Sequence, residues 1–229
     1  MDWFAPIDLY CERADIGLWA EPINALSNLA FPLAAIWAWH SAGRFGQRRT
    51  IVAILCLLAG LIGVGSGLFH TFANRWSEYA DVIPIWSFVA LYVLSAIALV
   101  GGAPAGKVAR IGVISAAITT VIVLATSGDG EAHSHEADPL NGSLQYAPAL
   151  LALVVFSAIT LWRGHAIRGW AVAATGVFAL SLGFRIMDLH LCAVWPMGTH
   201  FMWHVLNALM VGLLLQGLIR CSPARDGVA

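Results

Sequence analysis

The chain has 229 residues, of which 59% are hydrophobic and only 11% charged, with a formal net charge of −1. A water-soluble domain usually carries about 25% charged residues, so the polar side chains here are too few to coat a water-facing surface, and lipid must cover the exterior. The near-neutral balance also argues against a nucleic-acid partner.

The opening, MDWFAPIDLYCERAD, lacks the basic segment and apolar run of a cleaved signal peptide and reads as a short polar segment of the mature chain. Apolar runs of roughly 20 residues, enough to cross a hydrocarbon core of about 30 Å, then recur seven times. They lie near residues 23–40, 51–72, 81–100, 108–126, 144–162, 169–189 and 199–219. Each is expected to be α-helical, because an isolated strand in lipid leaves its backbone amides unpaired. The predicted fold class is therefore all-α: a polytopic, seven-transmembrane helix bundle forming a single domain over residues 1–229.

The loops set the orientation. Arg44, Arg48 and Arg49 follow span 1, Lys107 and Arg110 span 3, Arg163 and Arg168 span 5, and Arg220 and Arg225 span 7. The other side has only Arg13, Arg75 and Arg185. The positive-inside rule then puts the N-terminus outside and the C-terminus in the cytoplasm. The acids agree, since all except Asp226 fall on the outer side. Cys11 and Cys192 share that outer compartment, so a bridge between them and two free thiols are the alternatives. Cys56 lies within span 2 and Cys221 at the cytoplasmic end, and neither is an expected partner.

Ionisable groups inside spans are costly, and each is a functional candidate until a partner explains it. Span 2 ends GVGSGLFH, with Ser66 and His70 four residues apart on one helix face. Span 3 begins at Asp81. Span 7 begins GTHFMWHVLNAL, with His200 and His204 again one turn apart. An H-x-x-x-H pair can aim two imidazoles at one ion. A third histidine from another helix completes a His₃ set with an open position for water, a common catalytic zinc arrangement. The topology places His70, Asp81, His200 and His204 at one depth on the outer face, although nothing in the spacing required it. Taken singly, each has a plainer reading. His70 could bond a backbone carbonyl, His200 and His204 could sit at headgroup level, Ser66 could serve close helix packing, and Asp81 could cap span 3.

Four patches together resemble the alkaline ceramidases, within the wider CREST group of membrane hydrolases that also holds the adiponectin-receptor relatives. They are DLYCER with AEPINALSN, GVGSGLFHTF, Asp81, and the set Asp188, Cys192, His200 and His204. The resemblance implies a zinc amidase in which His70, His200 and His204 bind zinc. Asp81 would hold and deprotonate the attacking water, and Ser66 would stabilise the developing oxyanion. It implies a ceramide-like lipid amide as substrate and the membrane bilayer as partner.

The resemblance further implies a possible calcium site in the acidic N-terminal segment, with Asp8, Glu12, Asp15 and Glu21 as oxygen ligands. Here the spacing departs from the eukaryotic pattern by an extra residue between Asp8 and Cys11, and Arg13 brings a positive charge nearby. Asn24 and Asn28 read as hydrogen-bonding glue between helices. His133 and His135 lie in an acidic outer loop and offer at most a weak accessory metal site. His40 and His165 belong to the cytoplasmic side, and His190 lacks a paired spacing. The expected location is a bacterial inner membrane with the site on its extracytoplasmic face; an endomembrane would turn the same face to a lumen. The alternatives in other classes are a receptor or sensor that breaks no bond, and a haem-binding protein with His70 opposed to His200 or His204.

Overall fold

A computed structural model of the protein describes residues 2–126 and 138–223. Among these, eight α-helices follow in order: α1 (Pro22–Ser27), α2 (Ala30–Arg44), α3 (Thr50–Phe72), α4 (Arg75–Leu99), α5 (Ala105–Thr126), α6 (Ala147–Trp162), α7 (Arg168–Leu191) and α8 (His200–Cys221). A 3₁₀ turn, Ser143–Tyr146, leads into α6. Five of the helices, α3, α4, α6 with its 3₁₀ turn, α7 and α8, are long and apolar enough to cross a membrane.

Two departures from the expected spans trace to prolines and a cap. The run 23–40 is broken at Asn28 and Leu29, because Pro32 has no N–H to offer the Asn28 carbonyl and the helical ladder fails there. The third span starts at Arg75 rather than Asp81. Asn74 and Ser77 form a capping box, with Ser77 N donating to Asn74 Oδ1 at 3.2 Å and Asn74 N donating to Ser77 Oγ at 3.1 Å. Asp81 thus lies inside the helix, and the reading of it as a cap is corrected.

Pro84, inside α4, likewise leaves the Ala80 carbonyl without its helical donor. The Ala80 carbonyl and the Asn28 carbonyl, which takes Phe31 N instead at 3.1 Å, both meet glycines of α3. A Cβ on Gly63 would come within 2.7 Å of the Asn28 oxygen, and one on Gly65 would collide with the Ala80 carbonyl. The GVGSG stretch therefore lets α3 close on the α1–α2 break and on α4, one residue from Asp81.

Helix α8 is the centre of the bundle: 67% of its apolar window is buried, against 11% for that of α6. Its Ala208, Leu215 and Leu218 pack with Ala38, Leu55 and Ala59 of the neighbouring helices. The exterior presents Leu33, Ile36, Leu57, Ile83, Leu151 and Leu180, whereas Asn24, Ser181, Asp188 and Gln216 are buried. This inverts the soluble pattern. The N-terminal segment folds back over the end of the bundle where α3 stops and α8 starts. Ile7 N donates to the Ala73 carbonyl at 2.7 Å, Trp76 N donates to that of Trp3 at 3.2 Å, and a Cys11–Cys192 disulfide locks the segment to the turn after α7. Cys56 and Cys221 are free.

Candidate metal centre

His70 sits in the last turn of α3, which Ala73 closes in a left-handed conformation at φ 41°. His200 opens α8, and His204 follows one turn later on the same face. The start of α8 is fixed by Asp188, fully buried on α7. Its Oδ1 accepts from the backbone N–H groups of Thr199 at 2.6 Å and His200 at 2.9 Å, and its Oδ2 from that of Cys11 at 3.1 Å. A carboxylate here satisfies amides that a helix start leaves free and complements the helix dipole. Gly198, at φ 64°, makes the turn before α8; a Cβ there would collide with the Asp188 carboxylate and the Cys11 side chain.

One ligand nitrogen from each of His70, His200 and His204 lies within 4.8 Å of the others, and all three residues are buried. The Nε2 atoms of His70 and His204 face each other at 3.1 Å. Their other nitrogens are already engaged. His70 Nδ1 stands 2.5 Å from Glu21 Oε2. Glu21 also accepts from Arg13 Nε at 2.5 Å and from Asn24 Nδ2 at 3.0 Å, contacts that favour its ionised form. An ionised carboxylate only accepts, so His70 Nδ1 carries the proton. Ser27 Oγ donates to the Asn24 carbonyl at 2.7 Å and stands 2.7 Å from His204 Nδ1, with Asn28 Nδ2 at 3.5 Å from the same nitrogen.

The two Nε2 atoms thus point at one another, and with both unprotonated the arrangement favours a cation between them. His200 Nδ1 is also buried and without a hydrogen-bond partner among the described residues. Three imidazoles so arranged fit a zinc ion, which takes nitrogen donors and in catalytic sites keeps a fourth position open.

The surroundings stiffen this cluster. Tyr10 stacks on His200, with ring centroids 3.6 Å apart and planes 18° from parallel. Arg185 Nη1 donates to Tyr10 Oη at 3.0 Å, and its guanidinium lies 5.3–5.5 Å from the ring centroids of Tyr10, Tyr146 and Trp203. Asp81 Oδ1 is buried and has no protein partner among the described residues. The Ser66 hydroxyl is its neighbour across the α3–α4 contact. Asp81, Ser66 and His204 all line a cavity of about 420 Å³, whose remaining wall is mainly apolar, with Ile85, Phe156 and Met210 among its residues. The cavity continues toward the far end of the bundle, where Lys107, Arg163 and His165 border it.

The four acids assigned to calcium do not gather: among the described residues only the three histidines form a metal-sized group. Asp8 is exposed. Glu12 spends both oxygens on the start of α1, accepting from Ile23 N at 2.7 Å and Asn24 N at 2.8 Å. Asp15 accepts from Gly17 N at 2.6 Å. Glu21 is the partner of His70 and of Arg13, whose Nε donates to its Oε1 at 2.5 Å. These residues do not fit a calcium ion. Asn24 and Asn28 bond within the α1 turn, where Asn24 Nδ2 donates to Glu21 and Asn28 Nδ2 to the Asn24 carbonyl, and Asn28 Nδ2 also reaches His204 Nδ1 of α8 at 3.5 Å, a contact between helices as expected. His133 and His135 lie outside the described residues. His190 is exposed and pairs with the Pro139 carbonyl, apart from the cluster. Sequence reasoning missed the orienting roles of Glu21, Ser27, Tyr10 and Asp188. The polar residues of EPINALSN inside an apolar run were the available signal for the first two.

Lipid-length helices enclosing three converging imidazoles beside an apolar cavity define a membrane-type bundle with a site able to hold a metal ion. The family model described as Ceramidase matches residues 9–226, nearly the whole chain, and the protein belongs to that family. No curated protein matches it.

Proposed function

We propose that this protein is a zinc-dependent membrane hydrolase that cleaves the amide bond of ceramide or a related N-acyl lipid. The observation that carries the reading is the convergence of three buried imidazoles, with His70 Nε2 and His204 Nε2 facing each other, closed by His200 and set beside the cavity that Asp81 and Ser66 line. Zinc held by these three residues would supply Lewis acidity, polarising the amide carbonyl and lowering the pKa of water to about 7.

The chain's own groups supply the rest. Asp81 Oδ1, buried with a free acceptor position, takes the proton of the attacking water and returns it to the leaving amine nitrogen. The Ser66 hydroxyl donates to the carbonyl oxygen as negative charge develops there. The acyl chain lies in the apolar cavity, so the amide is presented at the cavity's histidine end. Three imidazoles converging on one point favour a metal ion over haem, whose two axial ligands approach from opposite faces.

The membrane arrangement in this reading is seven spans, with α1–α2 as the first and α5 as the fourth. The N-terminus and site lie on the extracytoplasmic face, the C-terminus in the cytoplasm, and the bilayer is a bacterial inner membrane. The disulfide supports this sidedness, because Cys11 and Cys192 sit at the histidine end and bridges persist in oxidising compartments.

Elemental analysis of the purified protein, joined to a screen of N-acyl lipids, tests the proposal. The expected result is about one zinc per chain, with turnover of a lipid amide. His204→Ala should lose metal and turnover together, whereas Asp81→Ala should keep its zinc and lose turnover. A folded protein that takes up no zinc from metal-containing buffer would overturn the reading.

A further inference from the structure

Arg13 is a cation that the reaction does not use, and its surroundings are built around it. Its side chain is only 6% exposed. Nε donates to Glu21 Oε1 at 2.5 Å, Nη1 to the Asp15 carbonyl at 3.3 Å and Nη2 to the His70 carbonyl at 3.2 Å. A buried carboxylate oxygen and two backbone carbonyls arranged around one positive charge are the oxygen types that suit a hard divalent cation. Here a guanidinium takes all three. The acids that could have completed a cation shell are turned elsewhere, Glu12 to the start of α1 and Asp15 to Gly17 N.

We propose that Arg13 is a tethered cation standing in for a bound calcium, so that the metal centre is positioned without any calcium ion. The proposal rests on the metal-centre reading for its consequence, though not for its geometry. The chain of contacts is short. Arg13 neutralises Glu21, which is 2% exposed and would otherwise be an uncompensated buried charge. Glu21 in turn accepts from His70 Nδ1 and fixes the ring. The same guanidinium binds the carbonyl of His70 itself, tying the N-terminal segment to the last turn of α3. Arg13 is thus a positioning residue: it touches no reacting atom, and it acts through the ligand His70.

The test uses the full-length protein in detergent, in buffer freed of divalent cations by a chelating resin, with zinc alone or with zinc and millimolar calcium. For the wild type, radioactive calcium should not bind stoichiometrically, and calcium should shift neither the thermal midpoint nor the zinc affinity. Arg13→Ala should lose zinc affinity by roughly 10–100-fold, the range seen when a ligand's supporting partner is removed. Calcium or ethylguanidinium should restore much of it, and the visible spectrum of the cobalt-loaded variant should return with it. Arg13→Lys should fall between, keeping the charge without the forked contacts. Stoichiometric calcium binding by the wild type would overturn the proposal, and so would an Arg13→Ala variant with unchanged zinc affinity and cobalt spectrum. The wild-type calcium measurement stands even if the alanine variant fails to fold. It also stands apart from zinc: a wild type that binds neither metal sinks the hydrolase reading and leaves the calcium result for Arg13 as expected.

Discussion

Glu21 Oε2 lies 2.5 Å from His70 Nδ1, and this contact turns the opposite nitrogen of the ring toward His204 Nε2 at 3.1 Å. A residue at the mouth of the first helix therefore decides how a histidine at the end of α3 faces one on α8. The carboxylate fixes the tautomer, the ring orientation and the basicity of a nitrogen that would hold metal. Glu21→Gln preserves the shape without the charge. Its zinc affinity is expected to fall by about 10–100-fold, measured by competition with a chromogenic chelator, while the helical content stays unchanged.

Ser66 separates binding from turnover. Its hydroxyl lies beside Asp81 and makes no contact with the engaged nitrogens of the histidines. Ser66→Ala should keep its zinc and lower kcat by about 100-fold, the lower end of what an oxyanion donor supplies. A loss of zinc in parallel with activity would reassign Ser66 to helix packing.

Gly65 measures the cost of the close α3–α4 approach. Any Cβ there meets the Ala80 carbonyl that Pro84 leaves without a donor. Gly65→Val should destabilise the fold by about 1–3 kcal/mol, as overpacking does, and should lower activity by displacing the adjacent Asp81. Gly60, which has nothing within 4 Å of an added Cβ, is the control; Gly60→Ala should leave the thermal midpoint and turnover near wild type.

The disulfide joins residues 181 positions apart. Removing a native bridge typically costs about 2–5 kcal/mol. Cys11→Ser should lower the thermal midpoint accordingly and speed zinc loss to a chelator, because the segment carrying Tyr10 and Arg13 is then held by weaker contacts. Reducing agent should do the same to the wild type and nothing further to the variant. Cys56→Ser, at a free thiol, should be insensitive to reductant relative to its own starting point only in the absence of Cys11.

The helical class was legible from the apolar runs of about 20 residues, because a strand of that kind in lipid leaves its backbone amides unpaired. The grouping of His70, His200 and His204 was legible too. Two are one turn apart on one helix, and alternating spans return the third to the same end. The pairing of Cys11 with Cys192 remained one of two alternatives, since a shared compartment permits a bridge without fixing the approach of the two side chains. The α1–α2 break and the early start of α4 also went unread, although Pro32 and the Asn74–Ser77 box are local signals. What only the tertiary structure decided is who holds the histidines. Glu21, Ser27, Tyr10 and Asp188 reach them across gaps in the chain of 49, 177, 190 and 12 residues. No local pattern encodes such distances. The acidic N-terminal segment looked like ligands for a cation because its charges are visible in sequence. Folding gives those charges to a helix start, a turn and a guanidinium instead, since a carboxylate takes whichever donors the folded chain puts beside it.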